Sequence, residues 1–475
     1  MRVTTLNCGF HGDIRGGLKA VEAALLQVPE AVTEPHMFRL EAHVSGDLSV
    51  ADALQWSMHT PADSRAFWAD RSDEVVVAGI GEAWTLGGLG WTVGDGLESL
   101  QRLMAPAPKR LRAFGGLCFH RELRSSGAWK AFGAWRFAVP RVELGRDSGG
   151  VWLAAHVQGS PKDWTRRLAE AQAVITRLLL VEPGDHHGAS TRPEVNYQSI
   201  KDVPNVDGWR EAVRAALAKI ESTSLQKVVL ARQRRVDLAT APDPLALLAR
   251  LAAHEPDAFR FCLQPTAESA FVGASPERLI RVQGQHVTSE ALAGTRPRSS
   301  DLAQDNAWAA ELLASEKDRR EHRLVADMVA ETLTELCENV EPHGEPTVMA
   351  LANVQHLHSR IEAQTNGVPS IASLLLALHP TPAVGGTPRA AARSAIETLE
   401  GFQRGLYAAP VGWIGGAGTA EFTVAIRSAL VERDAISLFS GAGIVAGSDP
   451  DAEWSEIDGK IAALWLAFGL GRGER

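Results

Sequence analysis

The sequence predicts an α/β protein, on three observations. Short apolar runs bounded by Gly-rich turns recur, as at Glu74–Ile80, Ala113–His120, Arg136–Leu144 and Gly150–His156, and this is the pattern of strands. Between and after them lie segments with apolar residues at helical spacing, namely Pro161–Leu180, Asp207–Ser222 and Glu453–Leu470. The length, 475 residues, suits either two or three average domains or one large α/β unit.

Composition narrows the function classes. Apolar residues make up 45% and charged residues 22%, ordinary for a globular protein. The net charge of −9 is spread without blocks, which argues against a nucleic-acid or anionic-membrane partner. Cys8, Cys118, Cys262 and Cys337 lie far apart with no zinc-type spacing, so they read as reduced structural thiols. No apolar run is long enough for a signal peptide or a membrane span, and a soluble, cytoplasmic protein is expected.

In chain order, the first 180 residues show strand-like runs but no catalytic constellation, and His120 reads as structural. Glu182–Val195 is rich in turn formers and reads as an exposed connector, with His186 and His187 facing solvent. It divides the chain into parts 1–195 and 196–475. Beyond it, Asp207–Ser222 carries Trp209, Val213, Leu217 and Ile220 on one face. Leu225–Arg232 reads as a strand that is apolar on both faces yet contains Lys227. That lysine either snorkels at an edge or is a buried amine with a depressed pKa. Phe259–Gln264 and Ser269–Gly273 read as a hairpin, and Pro276 ends the strand so that Glu277 stands at its exit.

Asp305–Cys337 carries no Pro or Gly and reads as one long helix. Leu313, Leu324 and Met328 fall on one face, expected to point into a core, and Lys317, Arg320 and Glu321 project onto the same face. A solvated helix with (i, i+4) ion pairs is the simple reading. Charge on a buried face instead requires pairing or a metal.

His356 and His358 share one face of a strand, a spacing that can ligate a metal, but no third ligand is near in sequence. Structural or substrate-contacting histidines are therefore expected. Arg404–Leu430 reads as strand, turn, strand, with Arg427 on the second strand among small residues that leave room for an anion. Ser437–Val445 lacks dinucleotide-loop spacing, and its glycines suggest an anion nest. Glu453, Glu456 and Lys460 fall on one face of the last helix.

Five separated motifs stand in a distinctive order. They are K-V-V-L-A-R from Lys227, G-A-S-P-E ending at Glu277, L-A-G-T at Leu292–Thr295, S-E-K-D-R-x-E-H at Ser315–His322, and G-A-G-I-V followed by E-W-x-E and Lys460. Together they resemble the chorismate-utilising enzymes, and within that family the isochorismate synthases of menaquinone or siderophore type. The resemblance implies an α/β (α+β) fold in one large unit, with mainly antiparallel sheets in a sandwich and helices packed outside. The part before 196 would complete that sandwich.

The resemblance also implies roles. Lys227 would be the base that activates water for attack at ring carbon 2 of chorismate, and Glu277 the acid for the departing carbon-4 hydroxyl. Glu321 and Glu456 would hold Mg²⁺. Arg427, Tyr407 and the backbone near Gly443 would take the pyruvyl carboxylate. Lys460 and the Gly294–Thr295 turn would complete the anion site, with His356 contacting substrate. A monomer acting without an obligatory glutaminase partner is expected. The alternatives are a salicylate synthase, which resembles this chain at Lys227 but typically has Thr where Ala383 stands, and ammonia-dependent anthranilate or aminodeoxychorismate synthases. The former of these usually have Gln at the Lys227 position, and the latter a lysine at Ala293.

Overall fold

A computed structural model describes residues 1–60, 62–88, 93–120, 127–180, 197–240 and 242–471. The connector Glu182–Val195, with His186 and His187, lies outside the described residues. Among those described, every strand pairing is antiparallel except that of Arg2–Gly12 with His36–Val44, joined through the helix Ile14–Leu25.

Two long strands, Val76–Gly88 and Trp135–Asp147, form the hinge of the architecture. They pair along their lengths, with a register shift between Glu82 and Trp84, and bulges of this kind bend a ribbon. On one side of the bend, Val142–Asp147 continues into Gly150–Gly159 and then His36–Val44. On the other side, Trp135–Ala138 pairs with Arg112–Leu117, which meets Pro410–Gly415. One sheet therefore runs through Arg65–Ala69, Phe259–Thr266, Ser269–Ser275, Ser428–Glu432 and Ala435–Val445 to Lys227–Leu238. The other runs through Pro410–Gly415, Thr419–Val424, Arg278–Gln283 and His286–Pro297 to Val354–Gln364. Strands from before and after residue 196 thus share hydrogen-bonded sheets.

The two sheets bury a common core that includes Phe137, Phe259, Phe271, Phe422 and Phe439. A second core lies between the outer sheet faces and the helices, with Ile175, Leu248, Ile461 and Phe468 packed on Leu40, Leu153 and Leu438. This is the expected antiparallel sandwich with helices outside. No helix among the described residues is long and apolar enough to cross a membrane.

The charged segment departs from its expected form. Instead of one helix over 305–337 there are two, Leu302–Ala314 and Glu316–Leu336. Ser315 between them is extended (φ −68°, ψ 109°), and its hydroxyl accepts from the Asp318 amide. Serine is a poor helix-interior residue and a strong N-cap, so the helix ends and restarts there. The restart breaks the helical phase across Ser315. Leu313 and Leu324 are exposed, and the buried face is His322, Val325, Ala326, Val329 and Leu333. Lys317 and Arg320 also point to solvent, whereas Glu321 is half-buried.

One buried ion pair fastens the strand that begins at Lys227. Arg404 and Glu400 are both almost fully enclosed. Arg404 donates to the carbonyls of Val384 (2.9 Å) and Val229 (2.7 Å) and to Glu400 (2.9 Å), while its guanidinium lies 4.2 Å over Phe119. Glu400 in turn accepts from the Ala231 amide at 2.8 Å. The H-P-T-P-A-V loop and the strand that begins at Lys227 are thereby held together. Removing one member of such a pair leaves an uncompensated buried charge, costing about 3–5 kcal/mol. Arg404→Leu should lose that much stability in urea unfolding. A loss below about 1 kcal/mol would mean the staple contributes little, as for an exposed pair.

Candidate active site

Lys227 opens the strand Lys227–Leu238, opposite Val445 on one side and Thr387 on the other. A residue flanked by strands on both sides does not snorkel from a sheet edge, and Lys227 is half-buried. Space for it is supplied by Gly443, where an added Cβ would lie 2.8 Å from Lys227 Cε and 3.4 Å from Nζ. Burial lowers the Lys227 pKa, and the charge of Lys460 lowers it further. Glu321, Glu277 and Glu453 pull it back up. All four charged groups therefore lie within electrostatic reach of the amine.

The glycines of Ser437–Val445 differ from the expected nest. They lie on a regular strand, Ala435–Val445, and neither Gly441 nor Gly443 has a positive φ, the alternation that an anion nest requires. Gly443 admits the lysine side chain instead. The Gly441 carbonyl accepts from Lys460 Nζ at 3.1 Å. A Cβ at Gly441 would stand 3.4 Å from the Tyr407 hydroxyl, and the Tyr407 ring stacks on Phe439 at 5.1 Å.

Glu277 is buried with its backbone fixed on both sides. Its carbonyl accepts from Val424 N (3.0 Å) and Thr423 Oγ1 (2.6 Å), and its amide donates to Ser275 Oγ (3.3 Å). Burial, and then the negative charge of Glu290, push its pKa up to about 8, while Lys227 acts in the opposite sense. At neutral pH this carboxyl carries its proton. Lys227 and Glu277 lie within electrostatic reach of one another, with the amine shifted down and the carboxyl up, the shifts that a general base and a general acid need.

The anion-binding candidates meet at the other end of the site. His356 Nδ1 lies 3.0 Å from both the Gly294 carbonyl and Thr295 Oγ1, and its Nε2 lies 3.4 Å from Arg427 Nη2. Burial, followed by the charge of Arg427, lowers the His356 pKa to about 4, so the ring is neutral. Gly294 needs its positive φ of 69°, and a Cβ there would press on Asp318 at 3.0 Å. Asp318 also binds Arg296 at 3.0 Å, which ties the L-A-G-T turn to the start of the charged helix.

Arg427 is not on a strand. It sits at φ 50° in the break between Thr419–Val424 and Ser428–Glu432. Its guanidinium is already paired with Glu255 at 3.1 Å. The period-two pattern ran through the break because small and apolar residues flank it on both sides.

Glu456, half-exposed, pairs with Lys460 at 2.7 Å. Glu321 lies within electrostatic reach of Lys227, and its helix is docked by buried His322 through the Ala291 backbone. Glu453 joins them. Burial raises its pKa, and the nearby charge of Glu456 adds to the rise. Among the described residues no three ligand-type side chains are already gathered close enough to hold a metal. Even so, Glu456 stands close enough to Glu453 for its charge to raise the Glu453 pKa, and neighbouring carboxylate oxygens are a donor type that suits a hard divalent cation.

The chorismate binding enzyme family matches residues 23–469. The chain belongs to the chorismate-binding enzymes. Similar members of that family include the chloroplastic isochorismate synthase 2 of Arabidopsis thaliana, 38% identical over 401 residues, covering 82% of this chain and 69% of that protein. The salicylate biosynthesis isochorismate synthase of Pseudomonas aeruginosa is 40% identical over 371 residues, covering 77% of each. The menaquinone-specific isochorismate synthase of Escherichia coli superposes with a TM-score of 0.82 at 28% identity, over 96% of this chain and 100% of that one.

Three side chains around the candidate site escaped the sequence reading: Glu255, Glu290 and Glu400. A charged residue inside an apolar strand drew notice at Lys227, and the same signal was present at Glu290. Glu255 meets Arg427 only by tertiary contact, and Glu400, although four residues from Arg404, also takes the distant Ala231 amide.

Because the atom a Gly443 Cβ would strike is the far end of a flexible chain, the lysine would yield rather than the fold. Gly443→Ala should keep its stability within about 1 kcal/mol of the original. It should lower kcat about 10- to 100-fold, since misplacing a catalytic group by about 1 Å has that scale of effect. Unfolding curves with steady-state kinetics check this, and unchanged kcat would place Lys227 outside the chemistry.

Proposed function

We propose that the chain is an isochorismate synthase, an isomerase that converts chorismate to isochorismate. The observation that carries the reading is a Lys227 amine whose pKa is lowered and a buried Glu277 whose pKa is raised, each acting on the other's charge, in a chorismate-binding enzyme. Neutral Lys227 takes a proton from water as its oxygen bonds to ring carbon 2. Glu277 gives its proton to the carbon-4 hydroxyl, which departs as water while the ring double bonds shift. One water enters and one leaves, so the reaction is balanced. The cycle closes when the proton on Lys227 returns through solvent to Glu277.

Chorismate is a dianion, and Arg427, Lys460 and the Gly294–Thr295 turn offer it positive charge and hydrogen-bond donors. Glu321 and Glu456, with Glu453 beside them, are the residues that would hold Mg²⁺, which when bound supplies countercharge to the ring carboxylate. Water is the nucleophile, so neither glutaminase nor ammonia is needed. Nucleic acid and membrane have no part in the reaction. Salicylate synthase is the second reading. What favours stopping at isochorismate is Ala383, which offers no hydroxyl in the H-P-T-P-A-V loop held by Arg404. A cytoplasmic setting in a menaquinone or siderophore pathway completes the proposal.

The test is turnover of chorismate by the purified chain with Mg²⁺, coupled in turn to an isochorismatase and to a menaquinone-pathway enzyme. Product that enters neither, or salicylate directly, would contradict the reading. Excess EDTA should abolish activity, as should Glu321→Ala or Glu456→Ala with the fold retained. Full turnover in EDTA would remove the metal from the account.

Arg427→Lys should raise KM at least about tenfold, because a point charge cannot grip both Glu255 and a substrate carboxylate as a planar guanidinium can. An unchanged KM would leave Arg427 as the structural partner of Glu255 alone. With pH, kcat should rise as Lys227 loses its proton, below its ordinary 10.5, and fall as Glu277 loses its own near 8. A profile flat through pH 8 would exclude Glu277 as the acid.

A further inference from the structure

Glu277 is the middle residue of a clamp. Arg71 donates through Nη1 to the carbonyl of Pro276 at 3.0 Å and through Nη2 to Glu290 Oε1 at 2.5 Å. Arg278 also donates to Glu290 Oε1, and its Nη2 reaches Glu421 at 3.1 Å. Both guanidiniums lie over the Phe259 ring, at 5.1 and 5.2 Å to its centroid. The residues before and after Glu277 are thus tied, directly or through Arg71, to one buried carboxylate on the neighbouring strand.

We propose that Glu290 is a positioning residue for the reaction. Fixed as an anion by Arg71 and Arg278, it keeps the Glu277 carboxyl in its proton-donating form. The proposal rests on the reading of Glu277 as the acid.

The two carboxyls sit in opposite environments. Burial works against a charge on Glu290, but the His358 ring 3.6 Å away and the fields of Arg71 and Arg278 bring its pKa down to about 2. It is ionised at every working pH and cannot itself deliver a proton. Glu277 is faced by Glu290 from the strand His286–Pro297 and by Lys227 from the strand Lys227–Leu238. Of these, the Glu290 anion opposes ionisation of Glu277, and Lys227, once it loses its proton, no longer favours it. Two carboxyls driven apart in this way can divide the labour of donor and fixed charge. The charges that act most on Lys227 are those of Glu321, Lys460, Glu277 and Glu453, so the influence of Glu290 falls mainly on the acid.

The experiment is the pH profile of kcat for the full chain with Mg²⁺, with thermal unfolding as a check of fold. Glu290→Gln should move the alkaline limb downward by about one pH unit or more and leave the ascending limb in place. Arg71→Met, which leaves Glu290 charged and held by Arg278, should leave the alkaline limb unmoved. A folded Glu290→Gln whose alkaline limb does not move would overturn the proposal. So would a downward move in Arg71→Met, because the clamp would then act through geometry and not charge. If Glu290→Gln does not fold, Arg71→Met decides alone by the same two outcomes. Glu277→Gln is the control: turnover by that variant would overturn the acid assignment itself and this inference with it.

Discussion

Desolvation of Lys227 and Glu277 together is the constraint on which the rest of the architecture depends. An amine removed from water sheds its proton more easily, and a carboxyl removed from water keeps its own. The sandwich produces both effects at once by closing two sheets around the ends of the strand Lys227–Leu238 and the hairpin exit at Glu277. Such groups are costly to hold, so the surrounding backbone is pinned. Arg404 and Glu400 fasten the lysine strand to the H-P-T-P-A-V loop, and Thr423, Val424 and Ser275 fix the main chain of Glu277.

Fixed charge in this region is arranged in layers. Lys227 and Glu277 have pKa values shifted toward neutrality, Lys227 downward and Glu277 upward. Behind them stand buried ion pairs, among them Glu290 with Arg71 and Arg278, and Glu421 with Arg278. At the anion end, Arg427 is held ready by Glu255, and neutral His356 bridges it to the Gly294–Thr295 turn. The cations that would receive a dianion are therefore oriented before it arrives, which reduces the ordering cost of binding.

Much of this was legible in the sequence where a residue violated its local pattern. Lys227 in an apolar strand, Glu277 after a strand-ending proline, and carboxylates on the final helix all stood out, and ordered motifs tied them to one family. The failures have physical causes. Ser315 breaks the long helix because a side-chain cap competes with helix propagation, and spacing alone does not reveal that choice. Arg427 looked strand-like because periodicity is blind to a single residue at positive φ. Gly443 looked like part of an anion nest, yet its role is to leave room for a side chain from the adjacent strand. Glu255 gains meaning only from Arg427, and Glu400 in part from the Ala231 amide, partners about 170 residues away.

The central claim is that Glu277 holds a proton at neutral pH because it is buried beside a fixed anion. The most direct measurement is a carboxyl titration of the full chain by isotope-edited infrared spectroscopy, taken as the difference between the original protein and Glu277→Gln. The account predicts one carboxyl, present only in the original protein, that loses its proton near pH 8 rather than near its ordinary 4.5. A difference spectrum in which the missing carboxyl ionises near 4.5 would contradict it.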